Sequence, residues 1–180
     1  MIKEFSEICS ELSNVSNNLT DKKVAEIIKL IFKSKRIFLS GEGRSGLMIK
    51  AFANRLSQIG LQVHVVSEIT APAIGFDDLL IFNSASGSST FLNSQAKNAR
   101  AAGSKIISFT SDKTAPLSQN SDMVILIDAP TKDKINGSIQ PMGSLYEQAS
   151  LILFDSLILK VIKSGFITTA KLRSLHSNLE

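Results

Sequence analysis

A chain of 180 residues with 43% hydrophobic content suits one globular domain spanning residues 1–180, and its formal charge of +4 is scattered among 16 acids instead of gathered into a basic block. With no Trp, one Tyr and Phe set mainly among apolar neighbours, no base-stacking surface is written into it, so a nucleic-acid partner is not indicated. The stretch LILFDSLILKVI is too short for a membrane span and carries Asp155 and Lys160, and the opening MIKEFSEICSEL lacks the apolar core of a signal peptide, so a soluble, cytoplasmic chain with no membrane partner is expected.

Taken in chain order, residues 1–34 read as two helices, the second starting near Thr20 and Asp21. Cys9, the single cysteine, cannot form an internal disulfide, and with Ile8 and Leu12 it is expected on the apolar face of the first helix. Five short apolar runs then follow: RIFL at 36–39, VHVV at 63–66, DLLIF at 78–82, KIISF at 105–109 and MVILI at 123–127. They read as buried strands. Between them lie stretches of helical spacing, Leu47, Ala51, Leu56 and Ile59 after the first and Phe91, Gln95, Ala99 and Ala102 after the third. A long apolar helix near 144–163 opens a C-terminal helical region, about 144–180. Strands alternating with helices predict an α/β fold, a doubly wound five-stranded parallel sheet flanked by helices, in the flavodoxin-like strand order 2-1-3-4-5.

The first strand runs into GEGRSG, residues 41–46, which fits G-x-G-x-x-G and precedes a helix. Glycines let the backbone turn sharply and bring N–H groups close to a ligand, and a helix N-terminus favours an anion. Glu68, 22 residues beyond Gly46, stands where a dinucleotide's ribose would want a carboxylate. A tight βα turn with no ligand explains the glycines equally well.

The third strand runs into NSASGSST, where Ser84, Ser86, Ser88, Ser89 and Thr90 surround Gly87. One hydroxyl, that of Ser89, suffices to cap the next helix. The others can donate to phosphate oxygens beside the helix N–H groups. In the expected strand order these two loops face each other where the winding reverses, which suits a small phosphorylated molecule better than a dinucleotide. Arg44, between Gly43 and Ser45, is placed to fork onto a phosphoryl group or hold a sugar hydroxyl.

Together, G-x-G-x-S after the first strand and S-x-S-G-x-[ST] after the third resemble the sugar isomerase (SIS) domain. GEGRSG, SEITAPAIGFDDLLIF, the serine loop and the ending HSNLE resemble the 6-phospho-3-hexuloisomerase branch of that family over roughly residues 36–180. The resemblance implies interconversion of D-arabino-3-hexulose 6-phosphate and D-fructose 6-phosphate in the ribulose monophosphate route, through a cis-enediol and without metal or organic cofactor. It implies substrate contacts from Gly43, Arg44, Ser45, Ser84, Ser86, Gly87, Ser88 and Ser89, a catalytic base at Glu147, and a histidine at His176 contributed by a neighbouring subunit of a homotetramer. Ser144 and Glu147 also spell a capping box, S-x-x-E, in which the glutamate would only reach back to the helix start.

Glu68 and Thr70 are second-rank candidates at the edge of the same crevice, His64 reads as structural, and Lys132 and Lys134 read as a solvated loop. The serine loop departs from the family pattern, with Ala85 for a usual glycine, Asn83 for an apolar residue and Ser89 for threonine. Rival readings are another SIS isomerase of the arabinose 5-phosphate type, a sugar phosphate sensor on the same domain, and a nicotinamide enzyme. The apolar helix LILFDSLILKVI is expected to be buried against more than its own sheet, which implies a homo-oligomer.

Overall fold

The five apolar runs pair side by side as parallel strands in a computed structural model that describes residues 2–133, 137–167 and 169–175. The elements in chain order are α1 (Lys3–Asn14), β1 (Ser16–Asn17), α2 (Asp21–Lys33), β2 (Ile37–Gly41), α3 (Gly43–Gln58), β3 (Val63–Val65), β4 (Leu79–Asn83), α4 (Thr90–Ala101), β5 (Lys105–Thr110), α5 (Pro116–Gln119), β6 (Met123–Asp128), α6 (Ser144–Lys163) and α7 (Thr169–Ser174). The sheet order is β1-β6-β5-β4-β2-β3. Its parallel part follows the expected 2-1-3-4-5 order, with β2 pairing to both β3 and β4 at the reversal.

One strand was not expected. The sheet has six strands, not five, because Ser16 and Asn17 pair antiparallel with Asp128 and Ile127. Two exposed polar residues carry no apolar signal. Their pairing is held by side chains instead: the Leu126 N–H donates to Asn18 Oδ1 at 2.9 Å, and Ser16 Oγ donates to Asp128 Oδ2 at 3.1 Å.

Alternate strand residues point to opposite faces, so the sheet carries two cores. Leu39, Ile81, Ile107 and Phe109 face Ile27, Ile31, Phe52, Leu56, Phe154 and Val161 from α2, α3 and α6. Phe38, Leu80, Phe82 and Ile106 face Leu92, Ala96, Ala99 and Leu117 from α4 and α5. Phe154 joins α6 to both layers beneath it, stacked on Phe52 at 4.7 Å and edge-on to Phe109 at 4.8 Å. Burial on both faces is what makes β2 and β4 read as continuous apolar runs. At the N-terminal end of these strands, Arg36 forks onto buried Asp78 at 3.0 and 2.6 Å.

Several expected core positions lie elsewhere. In α3, Leu47 and Ala51 are exposed, and the buried face runs through Ile49, Phe52, Ala53 and Leu56. The phase is set by Gly46, which must face β2. In α4, Phe91 is exposed while Leu92, Asn93, Ala96 and Ala99 are buried. Cys9 is exposed, since each helical residue turns about 100° and Ile8 and Leu12 take the inner side of α1. In α6, Ile152 and Leu159 each remain 50% exposed.

The turn from β2 into α3 is shaped by two glycines. A Cβ on Gly46 would stand 2.6 Å from the Gly41 carbonyl oxygen, and one on Gly41 would stand 2.8 Å from the Asn83 oxygen. We therefore expect Gly46→Ala to cost about 1–3 kcal/mol of stability by forcing strand and helix apart. Urea unfolding compared with wild type measures it, and an unchanged midpoint would count against this packing.

Candidate active site

At the carboxyl ends of β2 and β4 the two loops border one cleft of about 460 Å³, with the segment after β6 and the start of α6 as its third wall. This is the crevice that a doubly wound sheet opens where its winding reverses.

The serine loop is built by its own hydroxyls. Ser84 Oγ accepts from the Gly87 N–H at 3.3 Å, Ser88 Oγ donates to Ser86 Oγ at 2.9 Å, and Ser89 Oγ caps α4 by accepting from the Leu92 N–H at 3.2 Å. Asn93 holds the loop from below, donating to the carbonyls of Gly87 at 3.1 Å and Ser89 at 2.7 Å. Gly87 sits buried behind the turn at φ 60°, where a Cβ would come 2.7 Å from that of Ala115. It shapes the loop, while Ser84, Ser86, Ser88 and Ser89 line the cleft. The first turn of α4 carries no acidic residue, so its positive end remains available to an anion.

Across the cleft, Gly43 opens α3 in the left-handed region at φ 56°, and Ser45 and Arg44 follow it. The Arg44 side chain reaches α6: Nη1 donates to Ser144 Oγ at 2.8 Å and Nε stands 3.0 Å from Glu147 Oε2. That approach is an ion pair without hydrogen-bond alignment, and Oε2 accepts no hydrogen bond although it is buried. Burial pushes the Glu147 carboxyl above its ordinary value, and the Arg44 charge offsets part of that rise.

The capping box is absent. The N-cap of α6 is Gly143 at φ 79°, which leaves Ser144 as the first helical residue with its hydroxyl donated to the Pro141 carbonyl at 2.8 Å. Freed from the cap, Glu147 lines the cleft.

Other candidates fall elsewhere. Glu68 lines a separate hollow with Phe38, Val66 and Pro72, not the cleft, so the ribose position expected of it is not formed. Thr70 is exposed. His64 packs its half-buried ring 5.2 Å from that of Phe38. Lys132, expected in a merely solvated loop, lines the cleft together with Thr131. Lys134 and His176, with the rest of HSNLE, lie outside the described residues. Among the described residues, no group of three or more His, Cys, Asp or Glu side chains comes together in a way that could hold a metal ion.

Sequence reasoning also missed a buried polar cluster under the cleft, made by Asn83, Tyr146 and Ser150. Its one visible signal was a polar residue, Asn83, at the end of an apolar strand.

The SIS domain family model matches residues 30–158. The chain is 35% identical to the 3-hexulose-6-phosphate isomerase of Bacillus subtilis over 97% of its length and 96% of that protein's. It is 35% identical to that of Methylomonas aminofaciens over 96% of each. A solved Methanococcus jannaschii structure, described as inferring a 3-hexulose-6-phosphate isomerase function, superposes with a TM-score of 0.86 at 27% identity, covering 99% of this chain and 100% of its own. With the paired loops at the sheet's reversal and this similarity over nearly the whole length, the chain belongs to the SIS domain family, alongside the 3-hexulose-6-phosphate isomerases.

Proposed function

We propose that this chain is a 6-phospho-3-hexuloisomerase, a single SIS domain over residues 1–180 that interconverts D-arabino-3-hexulose 6-phosphate and D-fructose 6-phosphate. The carrying observation is that a buried carboxylate, Glu147, shares one cleft with the hydroxyl-lined serine loop. Isomerases named for that substrate at 35% identity support the choice of sugar.

In this reading the phosphate lies on Ser84, Ser86, Ser88 and Ser89 at the start of α4, with Gly87 giving the loop its shape. Gly43, Arg44 and Ser45 meet the sugar from the opposite side. Glu147 takes the proton from C2, the electron pair forms the C2–C3 double bond of a cis-enediol, and the C3 carbonyl oxygen gains a proton. The C2 hydroxyl then gives up its proton to become the carbonyl as Glu147 returns a proton to C3. His176 moves the proton between the two oxygens, as its position in HSNLE implies by resemblance. Proton transfers complete this chemistry, so no metal or organic cofactor is assigned.

Exposed apolar side chains support a homo-oligomer, assigned here as a tetramer in the cytoplasm. Ile2 is 70% exposed, Phe5 53% and Leu159 50%, and Phe32 stacks on Phe166 at 5.1 Å at the surface.

Wild type should convert enzymatically generated hexulose 6-phosphate to fructose 6-phosphate, and Glu147→Gln should lower kcat by about 10³-fold. Turnover of arabinose 5-phosphate alone would reassign the enzyme within the family, and binding of either sugar phosphate without turnover would make it a sensor. Because the base must be ionised, kcat/KM should fall as pH drops through a midpoint above the ordinary carboxylate range. In Arg44→Gln the offsetting charge is gone, so the acid limb of the pH–rate profile should move to higher pH. A limb left in place would remove Arg44 from this role. Finally, mixing Glu147→Gln chains with His176→Asn chains should restore part of the activity if sites are shared between subunits, and no recovery would place both residues in one chain's site.

A further inference from the structure

Asn83 and Tyr146 are both fully buried, each 0% exposed, and neither lines the cleft. Even so, they join its two walls. Asn83 Nδ2 donates to the Ser45 carbonyl at 3.0 Å and to Ser150 Oγ at 3.1 Å. Ser150 Oγ in turn donates to the carbonyl of Glu147 at 2.8 Å. Tyr146 OH lies 2.7 Å from Asn83 Oδ1 and 2.8 Å from the Phe109 carbonyl, sharing its one proton between them. The Ser45 carbonyl can only accept, which fixes the amide orientation with nitrogen toward the loop. A hydrogen-bonded path therefore runs from the GEGRSG turn at Ser45 through Asn83 and Ser150 to the backbone of Glu147.

Packing alone does not call for these groups, since apolar side chains of similar shape would fill the space without desolvating an amide and a phenol. A satisfied polar network adds a single permitted register. Tyr146 and Ser150 are one helical turn apart, so any slide or rotation of α6 breaks both contacts to Asn83 together. Burial, with the nearby Glu147 charge, outweighs the opposing pull of the Ser84 backbone and holds the phenol well above its ordinary value, which keeps it a donor throughout the working pH range.

We propose that Asn83 and Tyr146 are positioning residues that lock α6 to β4 and to the GEGRSG turn, holding Glu147 at the distance from the serine loop that proton transfer requires. This rests on the isomerase reading above.

The test uses Tyr146→Phe, which keeps the ring but leaves Asn83 Oδ1 without a donor while the Phe109 carbonyl keeps the Ser84 N–H, and the double variant Asn83→Leu/Tyr146→Phe, which removes both polar partners. Tyr146→Phe should lower kcat about tenfold with KM within about twofold, because small displacements of a reacting group cost rate more than binding. Its Tm should fall, and the double variant should regain Tm while kcat stays low, since replacing both partners removes the unpaired group but not the lost register. A Tyr146→Phe kcat within twofold of wild type, measured well below its Tm, overturns the proposal, as does kcat that recovers together with Tm. If the double variant regains no stability, the kcat of Tyr146→Phe alone decides.

Failure of wild type to turn over the hexulose would sink the isomerase reading separately. The lock is then judged by the titration of the Glu147 carboxyl, followed by carbon NMR. Arg44 stands 3.0 Å from that carboxyl, the Glu147 charge also acts on the Tyr146 phenol, and Glu42, Lys132 and Asp133 line the same cleft. A midpoint displaced in Tyr146→Phe supports the lock, and an unchanged midpoint overturns it.

Discussion

The passage of α3 across the end of β2, close enough that Gly46 must lack a side chain, is the constraint on which the site depends. It seats the helix start directly on the strand and brings Gly43, Arg44 and Ser45 to the sheet's carboxyl edge. It also sets the helical phase, so that Ile49, Phe52, Ala53 and Leu56 reach the core. Because β2 and β4 are neighbours in register from Ile37 and Leu79 to Gly41 and Asn83, the serine loop leaves the sheet at the same level and the two loops face one another. Site and core thus share a single packing decision.

Within the cleft two opposed effects act on one carboxylate. Burial makes Glu147 harder to ionise, while Arg44 at 3.0 Å favours the charge. The net effect is a raised carboxyl, as a general base near neutral pH would need, with the Arg44 charge offsetting part of the rise. Arg44 is itself 54% exposed along its side chain, so its hold is that of a partly solvated pair, weaker than burial of both partners would give. In the proposed isomerase, that moderate strength would suit a residue required both to favour the Glu147 charge and to meet an incoming sugar.

The architecture was legible where apolar runs and glycines recur, and illegible where a few polar atoms decide the outcome. The parallel strands, their order, the helix cap at Ser89 and the two facing loops all follow from patterning and turn chemistry. The edge strand at Ser16 and Asn17 does not, because its pairing rests on an Asn18 side chain contact over a hundred residues away in sequence. S-x-x-E suggested a capping box because spacing alone cannot show that Gly143 would take the cap by turning left-handed. Leu47 and Phe91 were misplaced because the start of each helix, and with it the phase, is fixed by a tertiary contact or a cap and not by periodicity. Asn83 stood out as polar, yet its partners Ser45, Tyr146 and Ser150 come from two other elements that only the fold brings together.

If the proposed isomerase reading holds, a substrate phosphate and the Glu147 carboxylate in one cleft would compete for any cation they shared. The two loops divide the task. On one side hydroxyls and the start of α4 offer neutral donors and a helix dipole, which can hold an anion without a cation of their own. On the other, the guanidinium of Arg44 is already engaged with Glu147 and Ser144. In the proposed isomerase, a substrate phosphate could therefore settle on the serine side without drawing Arg44 away from Glu147, provided the walls keep their separation. The buried chain from Ser45 through Asn83 and Ser150 to Glu147 ties those walls together, so in the proposed mechanism the polar atoms least visible from solvent would set the distance between phosphate and base.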